Sequence, residues 1–596
     1  MMLYTSLCLT FLSLSYMLRR FTAINMASYS AFMVFALFAL YLVFKGQLYK
    51  RAEYIGQKTL WGLSLTFSLM TVTGYYLDNF LPFADMSLTD FLMYLVCGAG
   101  IAPLFKCLLV NFYSYVETLA QKEQYSAMTQ CMGLLREWLC VFLIILVCWL
   151  PVWLACYPGL WNYDPWQVWQ YLNNNYDKMH PLLHTLLMGA CYSVGLAPEN
   201  ANKGVILYDF IQMAFMASVF AYAYVYITRH IRSRAFRLCT LLFFAIFPIN
   251  PIMAISSTKD TIFSGLILLC LVLSVQYLES SLKAGPRDHK TLLFLMFCIV
   301  LMLLFRNNAI HAWILFLLFA FFLRKQQPVG RKIFIFILAC LLIFEASDWS
   351  LSVCLSAQRG APRHLKEALS VPSQQFGRIY NVTNEAETKR LIELFYNVDG
   401  LKAYNPHLSD LMKSSLIGDK KSMVVPWKHA FNYFKAIFFL AAKYPLVTLD
   451  SFLYTTEGSW NIHDTSHSRI YGDLQNQAYL SLRVEPDFHI VQKSKIPFLK
   501  SLLERAFFHN EYQKLPVLPI LFAPAFYIWL LLFCTIGFWK THQRHYFFIT
   551  GFFWFLFLTV LAGPCILVRY MYPFIVCAPM FCCMLVQSVR DFRTAA

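Results

Sequence analysis

Nineteen consecutive residues, WLCVFLIILVCWLPVWLAC (138–156), contain no charged side chain. A helix that is apolar all round must be buried in protein or in lipid. About 20 such residues cross a bilayer core, because a helix satisfies its own backbone polar groups. Comparable runs lie at 3–18, 24–45, 59–77, 88–110, 205–228, 236–254, 260–281, 290–305, 308–324, 331–347, 515–538, 546–562 and 566–589. The expectation is an all-α polytopic membrane protein with about 14 transmembrane helices. Composition agrees: 59% of the 596 residues are hydrophobic and 14% charged, against roughly 25% charged in soluble domains.

The formal charge is 49 − 32 = +17. The excess sits in short loops between apolar runs, which points to positive-inside topology rather than to nucleic acid. A share of it facing anionic lipid or a phosphate substrate is the other reading. RHIRSRAFR (229–237), KAGPRDHK (ending at Lys290), RKQQPVGRK (324–332), KTHQRH (540–545) and RDFR (590–593) fit one cytoplasmic side and alternate with the spans. Arg19-Arg20 breaks that alternation. No small-residue cleavage site follows the first run, so it reads as a retained helix. The segments 157–204, 255–259, 306–307, 348–514 and 563–565 then all face the outside.

Four parts result: extra N-terminal helices (1–137), a transmembrane core (138–347) with a first outer loop (157–204), an α-rich extracytoplasmic domain (348–514), and C-terminal helices (515–596). Within the third, HAFNYFKAIFFLAAKYP is amphipathic and aromatic, fit to lie in the membrane interface. The 18 cysteines sit mostly in apolar runs, without CxxC or zinc spacing, and read as small hydrophobes.

The candidate chemistry is on the outer segments. Asp164 follows YPG (157–159) and is ringed by Trp161, Tyr163, Trp166 and Trp169. Partial desolvation there suits a general base; a plain loop aspartate among interfacial aromatics is the alternative. His180-Pro181 opens a short helix of about 15 residues, with His184 one turn on. The two histidines could share a metal, but no third ligand is visible. SSTKDTIFSG (256–265) puts hydroxyls and Lys259-Asp260 where a span begins. That is either a phosphate site or ordinary capping by Thr258; a lysine there opposes the helix dipole. Arg306, Asn307 and Asn308 separate two apolar runs, and Arg569-Tyr570 lies inside a late one. An arginine within a span is a functional candidate by default. A lysine and two arginines reachable from one side call for an anion, such as a lipid phosphate.

In this order the motifs resemble the GT-C superfamily of membrane glycosyltransferases, and more closely an uncharacterised bacterial family of such proteins. The elements are YPG…Asp164…His180-Pro181, Lys259-Asp260, Arg306-Asn307-Asn308 and Arg569-Tyr570. VPSQQFGR (371–378), with Gln375 and Arg378, and KYPLVTLDSFLYTTEGSW (443–460) are similar to further elements of that family. The resemblance spans about 150–590. It implies sugar transfer from a polyprenyl-phosphate donor to an extracytoplasmic glycan, lipid or protein acceptor. Asp164 would be the base, and Lys259, Arg306 and Arg569 would hold the donor phosphate. His180 would orient donor or acceptor, with His184, Asp260, Asn307, Asn308, Gln375, Arg378 and Tyr570 in support. Many members have two adjacent acids; here Pro165 follows Asp164. A divalent cation is therefore left open, with no metal ligand assigned and no other cofactor implied. No P-loop or GxGxxG is present. Two alternatives stand beside this reading. A polysaccharide polymerase or ligase would rely on Arg359, Arg363 or Arg378. A lipid-linked glycan transporter or flippase would show titrating groups at mid-membrane and inverted repeats.

Overall fold

The fold is taken from a computed structural model. It describes residues 2–21, 37, 40–41, 52–79, 81–124, 133–161, 166–178, 180–196, 200–282, 288–323, 328–357, 369–417, 427–463, 490–509, 511–515 and 518–595. Among these, the regular structure is helical, and β pairing is confined to isolated bridges.

In chain order the helices are α1 (Met2–Phe21), α2 (Gln57–Asp78), α3 (Leu88–Gln124), α4 (Leu134–Ala155), α5 (Trp166–Leu172), α6 (Leu182–Leu196), α7 (Ala201–His230), α8 (Arg234–Ala245) and α9 (Ile249–Ala254). Then come α10 (Lys259–Leu282), α11 (His289–Phe305), α12 (Ala309–Leu323) and α13 (Pro328–Cys354). The following segment holds α14 (Ser370–Val382), α15 (Ala386–Glu393), α16 (Val398–Lys402), α17 (Asp410–Ser414), α18 (Trp427–Lys443) and α19 (Pro445–Thr456). The chain closes with α20 (Pro497–Leu503), α21 (Leu518–Phe522), α22 (Pro524–Lys540), α23 (Arg544–Leu561) and α24 (Val568–Ala595).

This is a helical membrane protein. Eight helical segments among the described residues are long and apolar enough to cross a bilayer. Apolar helices such as α11, α12 and α22 are shorter than that test requires. The expected span 24–45 lies outside the described residues except for 37, 40 and 41. The expected pair around 305–308 is two helices, parted by Arg306-Asn307-Asn308. Pro248, which has no N–H to give, lies at the break between α8 and α9.

Burial ranks the helices. The apolar window of α24 is 94% buried inside the protein and that of α10 72%, against 22% for α4 and α13. So α10 and α24 form the axis of the bundle, and α4 and α13 line its lipid face. Lys259 and Arg569, at the first turns of α10 and α24, therefore sit over the middle of the structure.

Residues 369–447 build a separate core from Phe376, Ile379, Ile392, Tyr396, Met412, Tyr433 and Leu440. It is tied down at two points. Asp450 accepts from the Phe83 and Ala84 amides, both at 2.9 Å. Ser409 N donates to Pro564 O at 3.0 Å. The amphipathic stretch becomes α18, with Phe431, Phe434, Phe438 and Phe439 exposed on one side and Tyr433, Ile437 and Leu440 buried on the other. The chain then bends by 107° into α19.

Candidate functional site: two arginines on one carboxylate, beside a lysine

The turn before α10 is clamped to the YPG segment. Leu160 N donates to Ile255 O and Ser257 N to Leu160 O, each at 2.9 Å. The Ser256 hydroxyl donates to Ile252 O (2.7 Å) and that of Ser257 to Leu160 O (2.9 Å). Both serines are fully buried. Two of the three hydroxyls in the stretch read from sequence as either a phosphate site or a cap thus serve to hold the turn. Thr258 Oγ1 caps the Asp260 amide only at 3.4 Å, a weak contact.

Asp260 is fully buried and turned toward two arginines from distant segments. Arg306, where α11 ends, donates to Asp260 Oδ1. Arg569 Nε lies 3.8 Å from Asp260 Oδ2. The Tyr570 ring packs against both guanidiniums, at 5.1 Å from Arg306 and 4.8 Å from Arg569. Its hydroxyl accepts from Arg569 Nη2 at 2.9 Å. The arginine side chains keep 14% and 13% of their surface, while Asp260 keeps none. Counted over Lys259, Arg306, Arg569 and Asp260 alone, among the described residues, the formal charges are +3 against −1. Sequence reasoning gave these cations no protein partner. The structure corrects this for the arginines: Asp260 is the shared partner of Arg306 and Arg569 and holds the two guanidiniums in place.

Lys259 reaches sideways. Its Nζ is 3.3 Å from His180 Nδ1, which also lies 3.2 Å from Gln167 Nε2. Gln167 Oε1 meets His184 Nδ1 at 2.8 Å, and His184 Nε2 meets the Tyr208 hydroxyl at 2.8 Å. The chain ends on Gln212, whose Nε2 donates to the carbonyls of Met253, Ala254 and Ser256 at 3.3, 3.0 and 2.7 Å. Gln212 Oε1 lies 3.0 Å from the Tyr208 hydroxyl. The single Tyr208 proton serves either His184 Nε2 or Gln212 Oε1, while His184 Nδ1 gives its own to the Gln167 amide oxygen. Both His184 nitrogens are committed inside the core, so His184 is a strut that steadies Gln167 and, through it, His180. Gln167, Tyr208 and Gln212 gave no signal in sequence, being neutral residues in a mixed stretch.

A second acid was overlooked. Asp209 is fully buried on α7, next to Tyr208. Its carboxylate packs against Gly159 of the YPG turn, where φ is +152° and a Cβ would lie 1.8 Å from Asp209 Oδ2. The Trp153 indole is a neighbouring donor, giving its proton to Pro158 O at 3.1 Å. The signal was present: LYDF puts an aspartate in a span, which deserves a functional reading by default.

The remaining expected residues divide. Asp164 lies outside the described residues. Asn307 Nδ2 donates to Lys178 O at 3.2 Å, beside the Lys178–Asp348 ion pair (2.7 Å), and Asn308 is exposed. Gln375 and Arg378 go to α14. There Gln374, not Gln375, is the buried amide, donating to Asn405 O (2.8 Å) and Pro406 O (3.0 Å). The Arg378 guanidinium lies 5.3 Å from the Tyr454 ring. Burial raises the Tyr404 hydroxyl above its ordinary range, and Arg378 offsets part of the rise. Arg359 and Arg363 lie outside the described residues. Among the described residues, no three His, Cys, Asp or Glu side chains are placed to hold a metal ion.

No curated protein and no solved structure matches this chain. A family model described as "Family of unknown function (DUF6020)" matches residues 169–596, more than two thirds of the chain. The match takes in His180, Lys259, Asp260, Arg306 and Arg569, and begins after Asp164. The chain belongs to this family.

Proposed function

We propose that the protein is a GT-C-type membrane glycosyltransferase that uses a polyprenyl-phosphate-linked sugar donor and acts on an acceptor outside the cytoplasm. The observation that carries this reading is the pair Arg306 and Arg569 on one buried carboxylate, with Lys259 next to it in the chain, at a single end of the bundle. A positive cluster at a helix start suits a phosphate, and the apolar helices below it suit that phosphate's hydrocarbon tail. The arginines offer charge-assisted, multidentate donors. With Asp260 fixing them, they need little reorganisation as charge builds on the leaving phosphate.

In the proposed step, Asp164 takes the proton of an acceptor hydroxyl. The oxygen bonds the anomeric carbon as the carbon–oxygen bond to phosphate breaks. The phosphate leaves with the electron pair, and the anomeric centre inverts. His180, held by Lys259 and Gln167, orients the phosphate or the acceptor. All roughly 14 helices would surround this chemistry, with the cluster facing outward from the cell membrane.

The test is transfer from polyprenyl-phosphate sugars in membranes carrying wild type, Asp164→Asn or Arg569→Ala. Both variants should lose transfer, by about 10²–10³ for the arginine. Full transfer by both would reject the mechanism. Loss on Arg378→Ala with Arg569→Ala intact would favour a polymerase. Movement of the lipid across the bilayer without transfer would favour a flippase.

A further inference from the structure

The N-terminal helices α1, α2 and α3 precede the family match, yet they do not simply seal against the rest of the bundle. Between them and α22 runs a cavity of about 780 Å³. Phe67, Leu104 and Leu108 line one wall, Trp529 and Phe533 the other, and His463 stands at one end. The lining is almost wholly hydrocarbon. Along α3 it extends from Ile101 to Phe112, about 16 Å at 1.5 Å per residue. Leu108 is 48% exposed, so the cavity opens sideways toward the membrane. Tyr75 and the exposed His463, with ring centroids 6.2 Å apart, form its polar end.

An apolar cavity this size does not hold ordered water, which needs polar partners. At membrane depth the available apolar filler is lipid chain. We propose that this seam binds one acyl chain of a bilayer phospholipid, with the headgroup at the His463–Tyr75 end. The site is independent of the transferase reading. Cys582, which lines it on α24, is 13 positions beyond Arg569, about 20 Å along that helix. The cavity's own polar lining, His463 with Tyr75, and not the cations near Arg569, would then meet the occupant's headgroup.

The chain would prop a particular turn. Trp529 lines the cavity and donates from its indole to Trp460 O at 2.8 Å. The same turn carries buried Glu457, whose Oε1 accepts from Asn461 Nδ2 at 2.9 Å. Asn461 is pressed against Gly74 of α2, where a Cβ would come within 2.3 Å. The N-terminal helices would thus complete a lipid site that steadies residues 457–463.

The probe is a phosphatidylcholine with a diazirine in one acyl chain. The full-length protein is reconstituted with it, exchanged into detergent, gel-filtered and only then photolysed, with labelled peptides mapped by mass spectrometry. Retained label is expected on 101–112 and 526–533, several-fold above the exposed α13 positions Leu342 and Ile343. Leu104→Trp, which fills the cavity, should remove it, and Phe533→Ala, which enlarges the cavity, should raise it. Label no higher than on α13, or unchanged in Phe533→Ala, overturns the proposal even if the tryptophan variant fails to fold. Displacement by unlabelled polyprenyl phosphate but not by phosphatidylcholine also overturns it, by assigning the cavity to an isoprenoid chain.

Discussion

The two ends of the helix bundle treat charge in opposite ways. At the far ends of α7, α10 and α24, the pairings among the described residues match one base to each acid. Arg229 meets Glu137 at 3.3 Å, His230 meets Glu279 at 3.3 Å, and Arg593 pairs with Glu117. Glu279 also accepts from Tyr226 (2.6 Å) and Gln587 (2.9 Å). Each of these acids has its own base, and the surplus arginines and lysines of the basic loops lie at this end as well. At the other end Asp260 is shared by Arg306 and Arg569 with Lys259 next to it in the chain, and Asp260 is the more deeply buried member. Neutralised ion pairs fix helices in register; an uneven cluster of cations suits an anionic ligand. The same residue types therefore serve structure at one end and, on the reading proposed here, binding at the other.

The contrast can be broken by mutation. The largest expected effect is on transfer. Arg569→Ala should reduce it by about 10²–10³, with partial recovery in Arg569→Lys, while Arg229→Ala leaves it near wild type. Next is stability. Asp260→Asn removes the shared partner of two largely buried arginines and should cost about 3–5 kcal/mol, read as denaturant resistance in detergent. Glu137→Gln breaks a partly exposed pair and should cost no more than about 1 kcal/mol. Equal losses would erase the distinction between the ends.

Smaller effects probe how the uneven cluster is held. Gly159→Ala forces a Cβ onto Asp209 in a backbone region that strains other residues. We expect about 1–3 kcal/mol of destabilisation, relieved in part by Asp209→Ala in the same chain. Gln167→Ala leaves His184 Nδ1 without the Gln167 contact inside the core, at about 1–3 kcal/mol. It should also slow transfer while leaving lipid binding unchanged, because His180 loses its brace. No change in either quantity would remove Gln167 and His184 from the account.

Much of the frame was legible in sequence because hydrophobic burial writes itself as uninterrupted apolar length. Alternating basic loops then assigned Lys259, Arg306 and Arg569 to one end, and the structure does bring them together. What pairs with what was not legible. Asp260 lies 46 positions before Arg306 and 309 before Arg569, and nothing local marks it as their common partner. Its sequence neighbour Lys259 invited a reading as a phosphate-binding helix start, yet the hydroxyls of Ser256 and Ser257 serve the clamp on Leu160 instead. The neutral chain Gln167–His184–Tyr208–Gln212 was invisible, since its members carry no charge and fall on three helices. Asp209 was visible as an acid inside a span and was passed over. On α14 Gln374 is the buried amide, beside the half-buried Gln375 named from sequence as a supporting residue.

The central claim is that the uneven cluster holds a lipid phosphate. Its most direct test is equilibrium binding of polyprenyl phosphate to the protein in lipid nanodiscs, comparing wild type with Arg569→Gln and with Arg229→Gln at the opposite end. A hydrogen bond to a charged group contributes about 1.5–3 kcal/mol. Arg569→Gln should therefore bind about 10–150-fold more weakly, and Arg229→Gln should match wild type. Wild-type affinity in Arg569→Gln, or equal weakening in both variants, would contradict the account.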